Sequence, residues 1–387
     1  MKPAADGAVG IRRLKVLQPG GAAWPSGSAG APRPDPLTPL ADGLQRPISY
    51  LRISLTDRCN YRCTYCMPEA GVDILPRDEI LSFEELEAIV AALTQVGVRR
   101  VRLTGGEPTV RKDLLQLVAR LSRLGLEDLS LSTNGERLGE LARPLRAAGL
   151  DRLNVSLDTL SPERFRAVTR RGNLAAVLAG LDEARAAGFR HTKLNTVAMR
   201  GFNDDELGAL CRYAFERDFI PRFIELMPMA AGSLFYPGTF LPAAEIRARL
   251  QAEFGELGPQ TAAADTRPES ALPGVGPARY TEVRFAGKVH RVGLISAVTE
   301  PFCDTCNRIR LSATGQLHAC LAYDDAIDLR SVLRAQGGAP VTPPGDQDQQ
   351  RRLVALARAG LQHKRPGHEF TPAGCGGPQK HMVSIGG

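Results

Sequence analysis

ISYLRISLTDRCNYRCTYC, residues 48–66, joins a β-rich run to three closely spaced cysteines. The run Ile48–Leu55 mixes β-branched and apolar side chains in the way that is typical of a buried strand. Three thiolates at the spacings of Cys59, Cys63 and Cys66 can bind three irons of a [4Fe-4S] cluster and leave the fourth iron open. A zinc site needs four ligands, and no fourth Cys or His lies nearby in the sequence. The stretch therefore predicts a strand that leads into an iron–sulfur cluster loop.

Strand-like and helix-like runs alternate from this stretch onward. The predicted strands are Ile48–Leu55, Val98–Leu103, Asp128–Ser132, Arg152–Leu157, His191–Ala198 and Phe219–Met227. The predicted helices are Phe83–Gln95, Lys112–Leu124, Leu138–Ala148, Leu174–Ala186, Asp204–Arg217 and Ala243–Phe254. These βα units predict an α/β fold, an incomplete (βα)6 barrel of the TIM type. In such barrels the chemistry collects in the loops at the carboxyl ends of the strands.

Two stretches rich in Gly, Pro and Ala divide the chain. Residues 1–47 bury too little apolar surface to fold alone, which predicts a disordered N-terminal extension. Residues 257–279 are a predicted linker or insertion between the barrel, 48–256, and a C-terminal α+β region, 280–387. In that region we expect antiparallel strands and one helix, at Tyr280–Phe285, Lys288–Ile295, Arg308–Leu311 and Arg351–Gln362.

The composition limits the compartment and the partner. No apolar run reaches the ~20 residues of a membrane span, and the first residues lack a secretory signal, so we expect a cytoplasmic protein without membrane contact. Six of the eight cysteines lie in two tight groups, which favours metal ligands over disulfides. The net charge of +7 suits an anionic partner. We expect a phosphorylated small molecule rather than a nucleic acid.

The second cysteine group is Cys303, Cys306 and Cys320. It is separate from the first group, because one cluster cannot use six ligands, and a zinc knuckle completed by His318 is the alternative. Between these cysteines, Arg308 and Arg310 alternate with apolar residues, so a strand would turn both arginines to one face. Two guanidinium groups beside an open cluster would bind a polyphosphate well.

Gly105, Gly106 and Glu107 follow the second predicted strand, where glycines allow a close approach of the backbone to a ligand. Alone, this motif is weak and fits an ordinary βα turn. Together with the cysteine loop it resembles the radical S-adenosylmethionine superfamily. The resemblance implies that the open iron of the first cluster binds S-adenosylmethionine and that the glycine segment binds its amino group.

Both cysteine groups, the arginines and the terminal Gly386-Gly387 together resemble the GTP 3′,8-cyclases of molybdenum cofactor biosynthesis. The resemblance implies GTP contacts at Arg52, Arg102, Thr133, Lys193, Arg308 and Arg310. It implies S-adenosylmethionine contacts at Tyr65, Gly105, Gly106, Glu107, Ser156 and Met227. It also implies a catalytic part for Arg222, Arg308, Arg310, Gly386 and Gly387. The chain departs from the family pattern at Lys380-His381-Met382, where an arginine-containing segment is expected before the tail.

The family reaction converts GTP to (8S)-3′,8-cyclo-7,8-dihydroguanosine 5′-triphosphate and uses two [4Fe-4S] clusters and S-adenosylmethionine. The resemblance further implies an external electron donor, transfer of the product to cyclic pyranopterin monophosphate synthase, and a homodimer as one assembly to test. Two rival interpretations stay open. One is a peptide-modifying radical enzyme with an auxiliary cluster, and the other is a zinc-bearing nucleic-acid-binding module.

Overall fold

Six parallel strands alternate with helices in the first part of this computed structural model, which describes residues 38–262, 276–334 and 346–386. The strands are β1 Tyr50–Ser54, β2 Arg100–Thr104, β3 Asp128–Thr133, β4 Arg152–Ser156, β5 Lys193–Ala198 and β6 Ile220–Glu225. The helices are α1 Phe83–Thr94, α2 Leu114–Leu121, α3 Leu138–Ala147, α4 Pro162–Thr169, α5 Leu174–Ala186, α6 Leu207–Phe215 and α7 Ala243–Phe254. The incomplete α/β barrel is confirmed. Helix α4 was not among the predicted helices.

Local sequence signals fix where several helices begin. The hydroxyl of Ser82 accepts a hydrogen bond from the amide of Glu85, and the Glu85 carboxylate accepts one from the amide of Ser82. This reciprocal cap satisfies two donors that the first turn of α1 would otherwise leave open. Ser161 caps α4 in a similar way, since its hydroxyl accepts from the amide of Arg164 at 3.3 Å.

The C-terminal strands extend the same sheet at both edges. They are β7 Thr261–Ala262, β8 Arg279–Phe285, β9 Lys288–Ile295, β10 Arg308–Leu311, β11 Gln316–His318 and β12 Ile327–Asp328. The sheet order is β12-β11-β10-β1-β2-β3-β4-β5-β6-β9-β8-β7. The described helices of this part are α8 Arg330–Leu333, α9 Gln347–Leu361 and α10 Met382–Ile385.

The expected antiparallel arrangement of the C-terminal strands is only partly correct. Strands β8 and β9 are antiparallel, as predicted, and are joined by a turn at Ala286-Gly287, but β9 is parallel to β6. Strand β10 is parallel to β1 and antiparallel only to β11. A strand's own residues specify its faces but not the direction of its neighbour, so the parallel pairs could not be read from short sequence runs.

The last ten residues of the predicted disordered extension, 38–47, pack against the barrel; residues 1–37 lie outside the described residues. Leu40 is buried, and its amide donates to the carbonyl of Val96 at 2.7 Å. Asp42 is fully buried and accepts from the guanidinium of Arg46 at 2.6 Å. The composition of the whole extension predicted disorder, whereas this short segment is stabilised by contacts with distant residues.

The barrel strands separate apolar and charged side chains. Leu51 and Ile53 of β1 are fully buried in the core between the strands and the helices. Arg52, between them, lies opposite Arg310 of β10 on one side and Arg102 of β2 on the other. The strand alternation thus gathers arginines on the inner face of the sheet. No helix within the described ranges is both long and apolar enough to cross a membrane.

Candidate active site

A cavity of about 320 Å³ opens at the carboxyl ends of the barrel strands and is lined by both cysteine groups. Most of the predicted site residues line it: Arg52, Cys59, Cys63, Tyr65, Cys66, Arg102, Gly105, Gly106, Glu107, Thr133, Ser156, Arg222, Met227, Cys303, Cys306, Arg308, Arg310 and Cys320. Lys193, at the start of β5, and Gly386 are not in the lining. Gly387 lies outside the described residues. The fold therefore brings residues that are far apart in sequence to one cavity.

The first cysteine loop is held by the end of α4. The amides of Arg62 and Thr64 donate to the carbonyls of Thr169 and Val168, each at 3.0 Å. Within the loop, the amide of Cys66 donates to the carbonyl of Cys63 at 2.9 Å. These backbone hydrogen bonds hold the loop that carries the three thiols.

The donor set of this loop fits an iron–sulfur cluster. Cys59, Cys63 and Cys66 are free thiols, partly exposed, and face the cavity. Burial raises the pKa of Cys59 to about 11 and that of Cys66 to about 12, so these thiols become ligands only when iron supplies compensating positive charge. In the described part of the chain, no group of three or more His, Cys, Asp or Glu side chains converges closely enough to hold a single metal ion.

The glycine segment after β2 packs directly on the cysteine loop. The amide of Gly106 donates to the carbonyl of Thr56 at 2.6 Å. A Cβ added at Gly106 would lie 2.4 Å from the carbonyl oxygen of Arg58, so only glycine fits there. Glu107 is buried and accepts four hydrogen bonds, from the amide and hydroxyl of Thr109, the hydroxyl of Thr133 and the amide of Asn134. Glu107 and Thr133 therefore also join the loops after β2 and β3.

Tyr65 and Asp158 form a buried pair beside the first cysteine group. The hydroxyl of Tyr65 donates to the carboxylate of Asp158 at 2.6 Å, and the other oxygen of Asp158 accepts from the amide of Val197 at 2.9 Å. Burial raises the pKa of Asp158 to about 6. Asp158 was not among the predicted site residues, although its position at the end of a barrel strand was the available signal.

The second cysteine group lies beside two cations. The amide of Cys306 donates to the carbonyl of Cys303 at 3.0 Å and closes the turn. Although burial disfavours the thiolate, Arg308 and Lys364 lower the pKa of Cys306 to about 6. The three cysteines are free thiols that face the cavity, so this donor set also fits a cluster. Lys364 was missed by the sequence analysis, because nothing in its own segment marks it.

His318 does not complete a zinc knuckle in this structure. Its ring is buried and absent from the cavity lining, and Nδ1 lies 3.0 Å from Nζ of Lys380 and 3.1 Å from the carbonyl oxygen of Asp325. Burial, followed by the charge of Lys380, lowers the pKa of His318 to about 3. The imidazole is engaged by the protein behind the cysteine loop.

The arginines of the inner face repel one another. Burial and the charge of Arg310 lower the pKa of Arg52 well below its usual value, and burial and Arg308 lower that of Arg310 to about 10. Nε of Arg52 is buried without a hydrogen-bond partner among the described residues. An anion in the cavity would relieve both the repulsion and the missing hydrogen bond.

Arg222 of β6 and Lys193 of β5 add positive charge on the side of the barrel opposite to β1 and β10. Arg222 is held by neutral amides, because its guanidinium donates to Oδ1 of Asn195 at 2.9 Å and to Oδ1 of Asn154 at 2.8 Å. Its charge therefore remains available to a ligand. Burial and the charge of Arg222 lower the pKa of Lys193 well below its usual value.

The C-terminal tail enters the barrel. Gly386 is buried with a φ of 74°, and a Cβ there would lie 2.0 Å from the hydroxyl of Thr104. Its carbonyl accepts a hydrogen bond from Arg310. Lys380, in the segment that departs from the family pattern, anchors the stem by donating to the carbonyl of Tyr323 at 2.6 Å. The altered segment therefore still fixes the tail.

Comparisons with known proteins show the family of this chain. Residues 53–214 match the Radical SAM superfamily, and residues 220–370 match Molybdenum Cofactor Synthesis C. A GTP 3′,8-cyclase of Pseudomonas entomophila (strain L48) is 45% identical over 87% of this chain and 94% of its own length. One of Heliobacterium modesticaldum (strain Ice1) is 42% identical over 90% of this chain and 100% of its own length.

Among solved structures, SuiB of Streptococcus suis bound to S-adenosylmethionine has a TM-score of 0.44 and 16% identity, covering 56% of this chain and 47% of that one. The high identity to the cyclases extends over both parts of the chain and includes the barrel and the C-terminal strands. This chain belongs to the GTP 3′,8-cyclase family.

Proposed function

We infer that this chain is a radical S-adenosylmethionine enzyme that converts GTP to (8S)-3′,8-cyclo-7,8-dihydroguanosine 5′-triphosphate, the first step of molybdenum cofactor biosynthesis. The observation that carries the inference is one cavity lined by two cysteine groups and by arginines from both parts of the chain. The family relationship supplies the identity of the substrate.

Cys59, Cys63 and Cys66 hold the first [4Fe-4S] cluster in this proposal. Together with S-adenosylmethionine, that cluster would supply the radical chemistry that joins C3′ of the ribose to C8 of guanine. The neighbouring side chains and backbone position the cofactor at Tyr65, Gly105, Gly106, Glu107, Ser156 and Met227. The hydroxyl of Tyr65 is already fixed by Asp158, so its ring has a defined orientation.

The arginines bind the triphosphate. Arg52, Arg102, Arg308 and Arg310 present guanidinium groups from adjacent strands, and a polyphosphate matches their geometry and charge. Lys193, Arg222 and Thr133 complete the substrate contacts on the other side. Cys303, Cys306 and Cys320 would hold the second cluster, whose open iron offers a position for the guanine base.

Binding both ends of GTP limits its motion. The protein thereby holds C3′ and C8 close together and excludes water from the reacting atoms. Gly386 and Gly387 belong to this enclosure in the proposal, since the tail reaches Arg310 inside the barrel.

The enzyme also depends on other proteins. Reduction of the first cluster needs an external electron donor, because neither GTP nor S-adenosylmethionine supplies an electron. The product passes to cyclic pyranopterin monophosphate synthase, the next enzyme of the pathway. A cytoplasmic location is supported by the free cysteines, which a reducing compartment preserves. A homodimer stays a prediction.

Anaerobic incubation tests the proposal. The reconstituted protein is incubated with S-adenosylmethionine, a reductant and each nucleoside triphosphate in turn, and 5′-deoxyadenosine is measured. We expect its formation to depend on GTP and the chain to hold ~8 irons. Equal formation with every nucleotide would contradict GTP as the substrate, and a content of ~1 to 2 zinc ions without iron would favour the zinc-bearing alternative.

A further inference from the structure

The two cysteine groups lie in opposite electrostatic surroundings. Near the first group are three carboxylates: Glu136 accepts from the side-chain amide of Asn60, Asp158 accepts from Tyr65 at 2.6 Å, and Glu107 belongs to a segment whose amide donates to the carbonyl of Arg58 at 2.8 Å. The guanidinium of Arg62 is also there and donates to the carbonyl of Cys59 at 2.7 Å. Arg170 donates to the carbonyl of Arg62 at 2.8 Å, so three carboxylates and two arginines lie around the first group.

Cations dominate around the second group. Nη2 of Arg308 lies 3.6 Å from Sγ of Cys306. Nζ of Lys364 lies 3.1 Å from the carbonyl oxygen of Cys306 and 3.0 Å from that of Arg308. Arg46 donates to the carbonyl of Cys303 at 2.8 Å, but Asp42 neutralises its charge.

Lys364 is the buried lysine among these cations. It is 5% exposed, and no carboxylate of the described residues lies within ion-pair distance of it. Its neighbour Arg365 is exposed and pairs with Asp325 at 3.4 Å. Lys364 does not line the cavity between the two cysteine groups, so it does not contact a substrate there, and its ammonium group instead contacts the backbone of Cys306.

We propose that Lys364, together with Arg308, holds the reduction potential of the second cluster above that of the first. The proposal rests on the proposed function, which places a cluster in each cysteine group. A one-electron reduction adds a negative charge to a cluster, and a fixed cation beside one of its thiolates stabilises that charge. The carboxylates near the first group have the opposite effect. Lys364 is therefore a positioning residue that acts through Cys306.

An EPR-monitored redox titration of the full-length chain tests this ordering. The potential of each cluster is measured in a variant that retains only that cluster. One protein has Cys59, Cys63 and Cys66 replaced with Ala, and the other has Cys303, Cys306 and Cys320 replaced with Ala. We expect the second cluster to be reduced at the higher potential. Lys364→Gln should lower the ratio of reduced to oxidised second cluster about tenfold at a fixed potential, which is about 59 mV for one electron.

Two control variants keep the test specific. Lys364→Arg retains the charge and should titrate like the parent, and Arg365→Gln removes an exposed, paired cation from the same segment and should also titrate like the parent. An equal or higher potential for the first cluster would overturn the proposal. So would loss of the second cluster in Lys364→Gln with retention in Lys364→Arg, because the charge would then act on assembly. Iron content near ~8 per parent chain separates these results from a failure of the proposed function.

Discussion

Arg310 donates a hydrogen bond from its guanidinium to the carbonyl oxygen of Gly386, so one of the cavity's arginines is engaged by the C-terminal tail. The same nitrogen lies 3.5 Å from the carbonyl oxygen of Ile385. Two carbonyl dipoles thus offset part of the charge of Arg310. Nε of Arg52 has no hydrogen-bond partner among the described residues, so a substitution of Arg52 tests the binding of an anionic ligand more directly.

Replacing Arg52 should weaken GTP binding without lowering the thermal stability of the protein. A charge-assisted hydrogen bond contributes about 1.5–3 kcal/mol, so Arg52→Met should weaken GTP binding about 10- to 100-fold and guanosine binding much less. Because burial and neighbouring charges lower the pKa of Arg52, its charge destabilises the folded state at neutral pH. We therefore expect the melting temperature of the ligand-free variant to equal or exceed that of the parent. Calorimetric titration and thermal unfolding measure both, and equal losses of affinity for GTP and guanosine would contradict a phosphate contact.

Substitutions in the two cysteine groups should affect different activities of the enzyme. Cys63→Ala should abolish cleavage of S-adenosylmethionine, because in the proposed function it removes a ligand of the cluster that binds this cofactor. Cys306→Ala should retain substrate-independent cleavage but prevent cyclisation. Measurement of 5′-deoxyadenosine and of the cyclised product distinguishes the two activities. Loss of all cleavage in a folded Cys306→Ala protein would show that the groups do not have separate roles.

Lys380 should control the order of the tail. Its ammonium group donates to the carbonyl of Tyr323 and lies 3.9 Å from the carboxylate of Asp324. Lys380→Met removes these contacts, together with the one to Nδ1 of His318, and should lower cyclisation while raising the rate of carboxypeptidase digestion of the tail. Lys380→Arg should rescue both readouts. Unchanged digestion of Lys380→Met would mean that other contacts hold the stem.

Local spacing was enough to predict the parts of this site that lie within one loop or strand. The intervals between Cys59, Cys63 and Cys66 predicted a group of three thiol ligands. Strand alternation predicted that Arg308 and Arg310 lie on one face. The long-range contacts were not accessible in this way. Lys364 reaches Cys306 across 58 positions of sequence, and β10 reaches β1 through a crossover that short runs do not encode.

The C-terminal dipeptide gives the most direct test of the resemblance. The end of a chain is by default frayed and tolerant of change, but Gly386 is buried against Thr104 and Ser54, with a φ of 74°. Gly386→Ala would place a methyl group 2.0 Å from the hydroxyl of Thr104 in a backbone conformation that favours glycine.

We therefore expect Gly386→Ala to displace the tail from Arg310 and to stop cyclisation, while iron content, the binding of S-adenosylmethionine and the melting temperature stay at parental values. Deleting Gly386 and Gly387 should have the same effect. Ser384→Ala is the matched control, because Ser384 is an exposed residue of α10, the short helix that ends just before Gly386. This variant should retain parental turnover. The assay compares GTP conversion with the three binding and stability measurements in each protein. If the truncated chain converts GTP at the parental rate, the tail has no part in the reaction. Only a tail that acts in the active site would make turnover depend on these two glycines.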